Sequence, residues 1–120
     1  MNYGFKVVSR EGSQLYSALA RLTPDLNMHP YAVHYSVESI TYSTDRLKPL
    51  LAFKTFDEAR DFTERERFSL RNLEIWFAQA AISEVKHNKT DIWHGGPLIG
   101  DWPDGTIFCD WIKLVTRCYE

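Results

Sequence analysis

Alternation of apolar and polar residues with a period of two sets the strongest limit on what this chain can fold into. It is clearest in three segments, at residues 3–8, 73–78 and 106–115. Successive side chains of a β-strand point to opposite faces of a sheet, so a period of two is typical of strands. We therefore expect these three segments to be strands and to be neighbours in a common sheet.

The first 22 residues predict a β-hairpin. Two alternating runs flank the sequence Arg10-Glu11-Gly12-Ser13, which combines charge with a glycine. Glycine adopts the positive φ that a tight turn demands, so we expect the turn here and antiparallel pairing of the two strands.

One segment departs from the strand pattern and indicates a helix. Thr55 can cap a helix, and Glu58 stands three residues later, where it can reach back to the cap. Ala59 and Phe62 continue an apolar stripe at helical spacing. The prediction is one main helix over about residues 56–67.

A change of parity predicts a sheet corner. Tyr35 and Val37 are in phase as strand residues, whereas the next apolar pair, Ile40 and Tyr42, has the opposite parity. One extra residue in a strand reverses the facing of everything after it, so we expect a bulge or corner near 38–39.

The last strand is expected to be central in the sheet, because both of its faces are apolar. By simple alternation, Ile112 and Leu114 share one face while Cys109 and Trp111 share the other. Strands with two apolar faces are covered on both sides.

These elements define the expected fold class and domain organisation. A chain of 120 residues has the usual size of one domain, so residues 1–120 are expected to form a single α+β domain. A short apolar strand at 50–53 joins the strands above. The predicted architecture is a curved, mostly antiparallel sheet of about five or six strands carrying one helix.

Charge and hydropathy exclude several classes of partner. The 14 basic and 16 acidic residues are spread along the chain and leave a net charge of −2, without the basic patch typical of nucleic-acid binders. No apolar run approaches the roughly 18–20 residues of a membrane-spanning helix. The first residues also lack the apolar stretch of a signal peptide. We expect a cytoplasmic protein that binds neither membrane nor nucleic acid.

Neither a disulfide, a metal site nor a cofactor is expected. Cys109 and Cys118 lie on one predicted strand, where their Cα atoms would be roughly 30 Å apart at about 3.3 Å per residue. Both should be reduced thiols. No Cys-x-x-Cys or His-x-x-x-His spacing occurs, and the histidines are isolated in sequence: His29, His34, His87 and His94.

The long segment at 86–105, rich in glycine and proline, contains the candidate binding residues Trp93, His94, Asp101 and Trp102. Aromatic walls desolvate a ligand while a few polar groups orient it, so these side chains suit a binding site. The alternative is structural, since Pro103-Asp104-Gly105 is an ordinary turn and the tryptophans can fold the segment over the core.

No catalytic residue is assigned. His94 could act as a general base beside Asp91, Asp101 or Asp104, which would make the 91–105 loop a small-ligand site or a hydrolase-like active site. The chain has no Gly-x-Ser-x-Gly nucleophile elbow and no phosphate loop. Enzymatic activity is therefore the alternative to the main functional prediction.

Three segments in sequence order carry a family resemblance. They are Gly4-Phe5-Lys6-Val7-Val8, the stretch at 50–62 that ends Phe56-Asp57-Glu58-Ala59-Arg60-Asp61-Phe62, and Leu73-Glu74-Ile75-Trp76. In these segments the chain resembles small uncharacterised proteins of bacteriophage and bacterial genomes. The resemblance implies architecture and a phage or mobile-element origin. It implies no activity, because the shared residues form the fold.

The main functional prediction is a small non-enzymatic protein-binding module. Seventeen aromatic residues are more than a core of this size can enclose, and exposed aromatic side chains anchor protein partners. With the implied origin, the expected partner is a host protein, such as a component of a defence system that the module inhibits. An exposed edge strand would also allow a homodimer by sheet extension.

Overall fold

Seven strands and one helix make up the described part of the chain, which the computed structural model gives as residues 2–17, 33–43, 50–66, 72–83 and 105–118. In chain order the elements are β1 Asn2–Glu11, β2 Gln14–Ser17, β3 His34–Tyr35, β4 Ile40–Tyr42, β5 Leu50–Phe53, α1 Phe56–Glu66, β6 Leu73–Ile82 and β7 Thr106–Cys118. The α+β class and the predominantly antiparallel sheet are confirmed. The sheet has seven strands instead of five or six.

The three long strands lie side by side, as the alternation predicted. β6 is in the middle, with Phe5 of β1 opposite Phe77 and Leu114 of β7 opposite Ala78. Both pairings are antiparallel, which brings the two halves of the sequence into one sheet.

The strand pairings form a closed circuit. β5 pairs with β1, where Phe53 lies opposite Phe5, and with β7, where Leu50 lies opposite Cys109. The order β1, β6, β7, β5 therefore leads back to β1. β2 and β3 extend the sheet beside β1, and β4 extends it beside β7. The expected curvature of the sheet stays a prediction.

The hairpin and the corner are both where the sequence predicted them. Glu11 lies opposite Gln14, and Gly12 takes a φ of 63° in the turn between them. Glu38 also has a positive φ, 65°. Because the chain turns there, β3 pairs with β2 while β4 pairs with β7, and the single strand expected here becomes two.

Helix α1 begins at Phe56, as expected, and is described as far as Glu66; Arg67 lies outside the described residues. The Thr55 hydroxyl accepts a hydrogen bond from the Glu58 N–H at 3.2 Å and donates one to Glu58 Oε1 at 2.8 Å. The predicted cap is thus present. The apolar side of the helix packs against the sheet and forms the smaller core cluster with it. The buried members are Ala59 and Phe62 of the helix and Val7, Phe53 and Ile75 of the strands.

The larger core cluster lies on the opposite face of β1 and β6. Its buried members are Val8, Leu15, Tyr35, Leu50, Ala52, Trp76, Ala78, Ala80, Cys109, Ile112 and Leu114.

The expected facing of Cys109 was wrong. Cys109 is buried with Ile112 and Leu114 and not on the face of Trp111. The register between β6 and β7 shifts after the Ala81–Trp111 pair, so that Asp110 is an extra residue in β7. One extra residue reverses the facing of the neighbours before it. Cys109 and Cys118 are both free thiols.

Candidate functional site

The four binding residues expected from the sequence, Trp93, His94, Asp101 and Trp102, lie outside the described residues. Of the 91–105 segment, only Gly105 is described, where it precedes β7. Binding by this loop stays a prediction. The described residues instead assemble a surface that the sequence alone did not reveal.

The pairing registers place two rows of side chains on one face of the sheet, since directly opposed residues of antiparallel strands share a face. The first row crosses four strands through Tyr3, Gln79, Lys113 and Ile40. The second row crosses three strands through Ala81, Trp111 and Tyr42. We call these seven residues the open face.

Three large side chains of the open face are exposed to solvent: Tyr3 by 52%, Ile40 by 45% and Tyr42 by 63%. Trp111 is half-buried between Ala81 and Tyr42. The Tyr3 ring stacks on Phe77, with centroids 5.3 Å apart and planes 9° apart. Ile40, Tyr42 and Trp111 therefore form one apolar patch, and Tyr3 stacked on Phe77 forms a second. Gln79 and Lys113 lie between Tyr3 and Ile40 in the first row.

Helix α1 covers the adjoining part of the same side of the sheet. The ring of Phe5 meets the ring of Phe56 on the helix edge-on, with centroids 5.9 Å apart. It also contacts Phe77 of β6, with ring centroids 5.7 Å apart. The covered area ends there and the open face begins. Where an antiparallel sheet faces water its residues are usually polar, so a row of Tyr, Ile and Trp that no other described element covers indicates a contact surface.

Charge on the open face is confined to one ion pair. Lys113 Nζ lies 3.8 Å from Glu38 Oε2, where the chain turns into β4. Lys113 is half-buried while the Glu38 side chain is exposed by 63%. Since the charges offset each other, the face is close to neutral.

The outer edge of β4 offers backbone hydrogen-bonding groups. The Ser43 N–H donates to the Asp110 carbonyl at 2.8 Å, so alternation along the ladder directs the N–H and C=O of Thr41 to β7. The same alternation turns those of Ile40 and Tyr42 outward. Within the described ranges, β4 pairs with β7 alone. β4 also lacks the charged residues and prolines that protect many edge strands.

A separate polar cluster joins the ends of the three long strands around the buried Glu74. Arg10 donates to both Glu74 oxygens, at 2.5 and 3.1 Å, and Trp76 Nε1 donates to Oε1 at 3.1 Å. Arg117 Nε lies 3.6 Å from Oε1. Burial alone would raise the pKa of Glu74, but the hydrogen bonds from Arg10 and Trp76 and the two guanidinium charges hold it below its ordinary value.

An open cleft of about 380 Å³ adjoins this cluster, lined by Arg10, Gly12, Asn72, Leu73, Glu74 and Arg117. Glu74 is ionised and already accepts hydrogen bonds from Arg10 and Trp76, so it offers no proton acceptor of raised pKa. The arrangement ties β1, β6 and β7 together and indicates a structural role.

A second buried polar group lies within the larger core. Lys6 is 5% exposed; its Nζ donates to the Leu51 carbonyl at 2.5 Å and lies 5.1 Å from the centre of the Tyr35 ring. The Lys54 N–H donates to the Gly105 carbonyl, so alternation turns the Leu51 carbonyl away from β7 and toward β1. Lys6 satisfies that carbonyl where β1 and β5 diverge.

Burial shifts the pKa values of the groups around Lys6. It lowers the pKa of Lys6 to about 8 and raises that of Cys109 to about 11. The pKa of Tyr35 is raised too, mainly by burial. Around neutral pH the ammonium is therefore the one charged member of this trio.

Metal ligands do not converge in the described parts of the chain: no group of three or more His, Cys, Asp or Glu side chains is placed to hold an ion there. Among those same residues, no helix has the length and apolar character needed to cross a bilayer.

No family model, curated protein or solved structure matches this chain.

Proposed function

We propose that this chain is a non-enzymatic protein-binding module that contacts its partner through the open face. The observation that carries the proposal is the gathering of Tyr3, Ile40 and Tyr42, all exposed, on one side of the sheet with Trp111. Aromatic side chains bury about 150–250 Å² each and dominate interface energetics. At roughly 25 cal/mol per Å² of apolar surface, such a row supplies several kcal/mol on binding.

The composition of the open face defines the chemistry of the partner. Exposed apolar side chains lie at both ends of its first row, with Gln79 and the ion-paired Lys113 between them. The complementary surface is therefore mainly apolar and aromatic, with polar groups that can meet Gln79 and Lys113. Binding of this kind should depend only weakly on salt, because few exposed charges take part.

The resemblance to bacteriophage and bacterial proteins supports a host protein as the partner. A module that blocks a surface needs no catalytic groups, which suits inhibition of a host component such as a defence system. The apolar open face supports this mode of action, since burying rings and aliphatic side chains holds two proteins together without chemistry.

Site-specific photo-crosslinking in a lysate of the native host tests the proposal. Two variants of this chain carry a photoreactive phenylalanine analogue. In one it replaces Tyr42, and in the other it replaces Asp61, an exposed residue of α1. We expect a discrete adduct from position 42 and none of that mass from position 61. The same adduct from both positions, or none from position 42, would contradict the proposal.

Once the adduct is identified, affinity provides the quantitative test. Tyr42→Ser should weaken binding roughly 10- to 30-fold, equivalent to about 1.4–2 kcal/mol for loss of an aromatic anchor. Tyr16→Ser is the matched control, because Tyr16 lies on β2 beside His34 and away from the open face. Equal affinities for the two variants would rule out the open face as the contact.

A further inference from the structure

The outer edge of β4 is complementary to itself. Its outward-pointing backbone groups belong to Ile40 and Tyr42, with Thr41 between them. In an antiparallel pair, outward-pointing residues of one strand must meet outward-pointing residues of the other. Two copies of β4 therefore fit in a register that places Ile40 opposite the second copy's Tyr42 and Thr41 opposite the second copy's Thr41.

This register uses the edge most completely. It forms two hydrogen-bonded residue pairs, whereas a shift by two residues in either direction leaves one such pair within β4. The side chains that meet are an aromatic with a β-branched residue, and two threonines, both of which are favourable cross-strand pairs. No charged side chain of β4 meets another, since the strand is Ile-Thr-Tyr.

We propose that β4 is a homodimerisation edge at which two copies of this chain pair antiparallel about Thr41. The dimer extends the sheet from β1, β6, β7 and β4 of one copy into the same strands of the other. Because opposed residues share a face, the two open faces join into one surface of doubled length. The proposal goes beyond the binding of a host protein and holds or fails independently of it.

The dimer is weak and depends on concentration. Three paired residues bury less than the roughly 1,200 Å² at which stable interfaces begin, so the contact belongs to the transient class. Sedimentation velocity from about 10 μM to about 1 mM should show the weight-average sedimentation coefficient rising toward that of a dimer.

Disulfide trapping tests the register. In a Cys118→Ser background, which removes the half-buried native thiol, Thr41→Cys places two thiols across a non-hydrogen-bonded pair with Cα atoms about 4.5 Å apart. That distance suits a disulfide. Ile40→Cys is the matched control, because two copies of position 40 lie on a diagonal at about 7–8 Å.

The proposal predicts that Thr41→Cys forms the linked dimer several-fold faster than Ile40→Cys. Random collision predicts the reverse, because Ile40 is exposed whereas Thr41 is half-buried. Faster linking through position 40, or a sedimentation coefficient that stays constant up to about 1 mM, overturns the proposal.

A backbone variant gives a second readout. Tyr42→Pro removes an outward N–H, and proline is tolerated in an edge strand where that group faces solvent. The concentration-dependent shift should disappear in Tyr42→Pro and persist, weakened, in Tyr42→Ala. A shift retained by a folded Tyr42→Pro protein overturns the proposal. A monomer that still crosslinks a host protein from position 42 overturns the dimer alone and leaves the proposed function standing.

Discussion

Lys6 is a charged residue whose position in the core makes stability depend on pH. Burial disfavours the ammonium form, which lowers the pKa from 10.5 to about 8, while the nearby Cys109 acts in the opposite direction. The unfolded chain keeps the ordinary, higher pKa. Protonated Lys6 therefore costs folding free energy below about pH 8, and the cost is relieved as pH rises between the folded and the unfolded pKa.

We predict that the free energy of unfolding rises by about 1 kcal/mol between pH 7 and pH 9, since one pKa unit corresponds to about 1.4 kcal/mol. Lys6→Met should remove this rise, because methionine fills a similar volume and does not titrate. Urea unfolding monitored by circular dichroism measures how the free energy of unfolding changes across this pH range in the wild-type protein and in Lys6→Met. An equal slope in the variant would show that another group titrates.

Titration of Cys109 limits the pH range over which the free energy of unfolding rises. Burial raises its pKa from 9.0 to about 11, so the folded protein retains a thiol where the unfolded chain forms a thiolate. This contribution lowers stability between about pH 9 and pH 11 and offsets the gain from Lys6. As a control, Cys109→Ala should extend the rise toward about pH 10.

At the scale of secondary-structure elements, the start of α1 and the start of β7 depend on each other. Glu58 completes the helix cap with Thr55, and its carboxylate lies against the Cα of Gly105. Gly105 has a φ of 79°. Because glycine has no Cβ, the Glu58 carboxylate can occupy the space beside its Cα. The Gly105 carbonyl in turn accepts the Lys54 N–H at 2.8 Å.

We predict that Gly105→Ala destabilises the protein by more than Gly12→Ala. Both glycines have positive φ, which costs an alanine about 1 kcal/mol or more. A Cβ on Gly12 meets no neighbouring atom, whereas one on Gly105 overlaps the Glu58 carboxylate, which must move and give up its hydrogen bond from the Thr55 hydroxyl. Loss of that hydrogen bond adds about 0.5–1.5 kcal/mol. Chemical denaturation of the two variants measures the difference.

A double variant separates the backbone cost from the overlap. Glu58→Ala alone should be destabilising, through the lost hydrogen bond from the Thr55 hydroxyl. In the Gly105→Ala background it should cost much less, because the overlap has already displaced the carboxylate. Additive costs would contradict the contact between Glu58 and Gly105.

Local patterns in the sequence predicted the elements whose residues are near neighbours in the chain. The β1–β2 turn at Gly12, the cap at Thr55 and the corner at Glu38 were all foreseen, since each depends on a few consecutive residues. The facing of Cys109 was not, because the extra residue Asp110 is defined only by the pairing of β7 with β6.

The open face was beyond the reach of sequence patterns for a related reason. Tyr3 and Tyr42 lie on β1 and β4, and only the registers of β6 and β7 place them on one side of the sheet. The sequence supplied a weaker signal, a surplus of aromatic residues. The Arg10–Glu74–Arg117 cluster likewise needs three strands in register before its charges meet.

For the whole molecule, the two core clusters share the same strands, and this determines how the protein unfolds. Val7 and Ile75 pack against α1, while Val8 and Trp76, their neighbours in sequence, face the larger cluster. Undocking of α1 would expose Val7, Phe53, Phe62 and Ile75 to water.

The energies decide whether α1 can detach alone. At about 1.5–3 kcal/mol for each large apolar side chain, exposing those four costs roughly 6–12 kcal/mol. The stability of an ordinary domain is about 5–15 kcal/mol. Because the two ranges overlap, detachment of the helix is about as costly as complete unfolding, and we expect one cooperative transition.

Phe62→Ala tests this cooperativity by hydrogen exchange. The substitution should lower the free energy of unfolding by about 3–5 kcal/mol, since it leaves a cavity between α1 and the sheet. In a cooperative molecule the opening free energies of amides in α1 and in the centre of β6 fall by the same amount, because both exchange through global unfolding. Should only the α1 amides lose protection while those near Ala78 keep theirs, the helix would be a separate unfolding unit and the shared strands would not couple the two clusters.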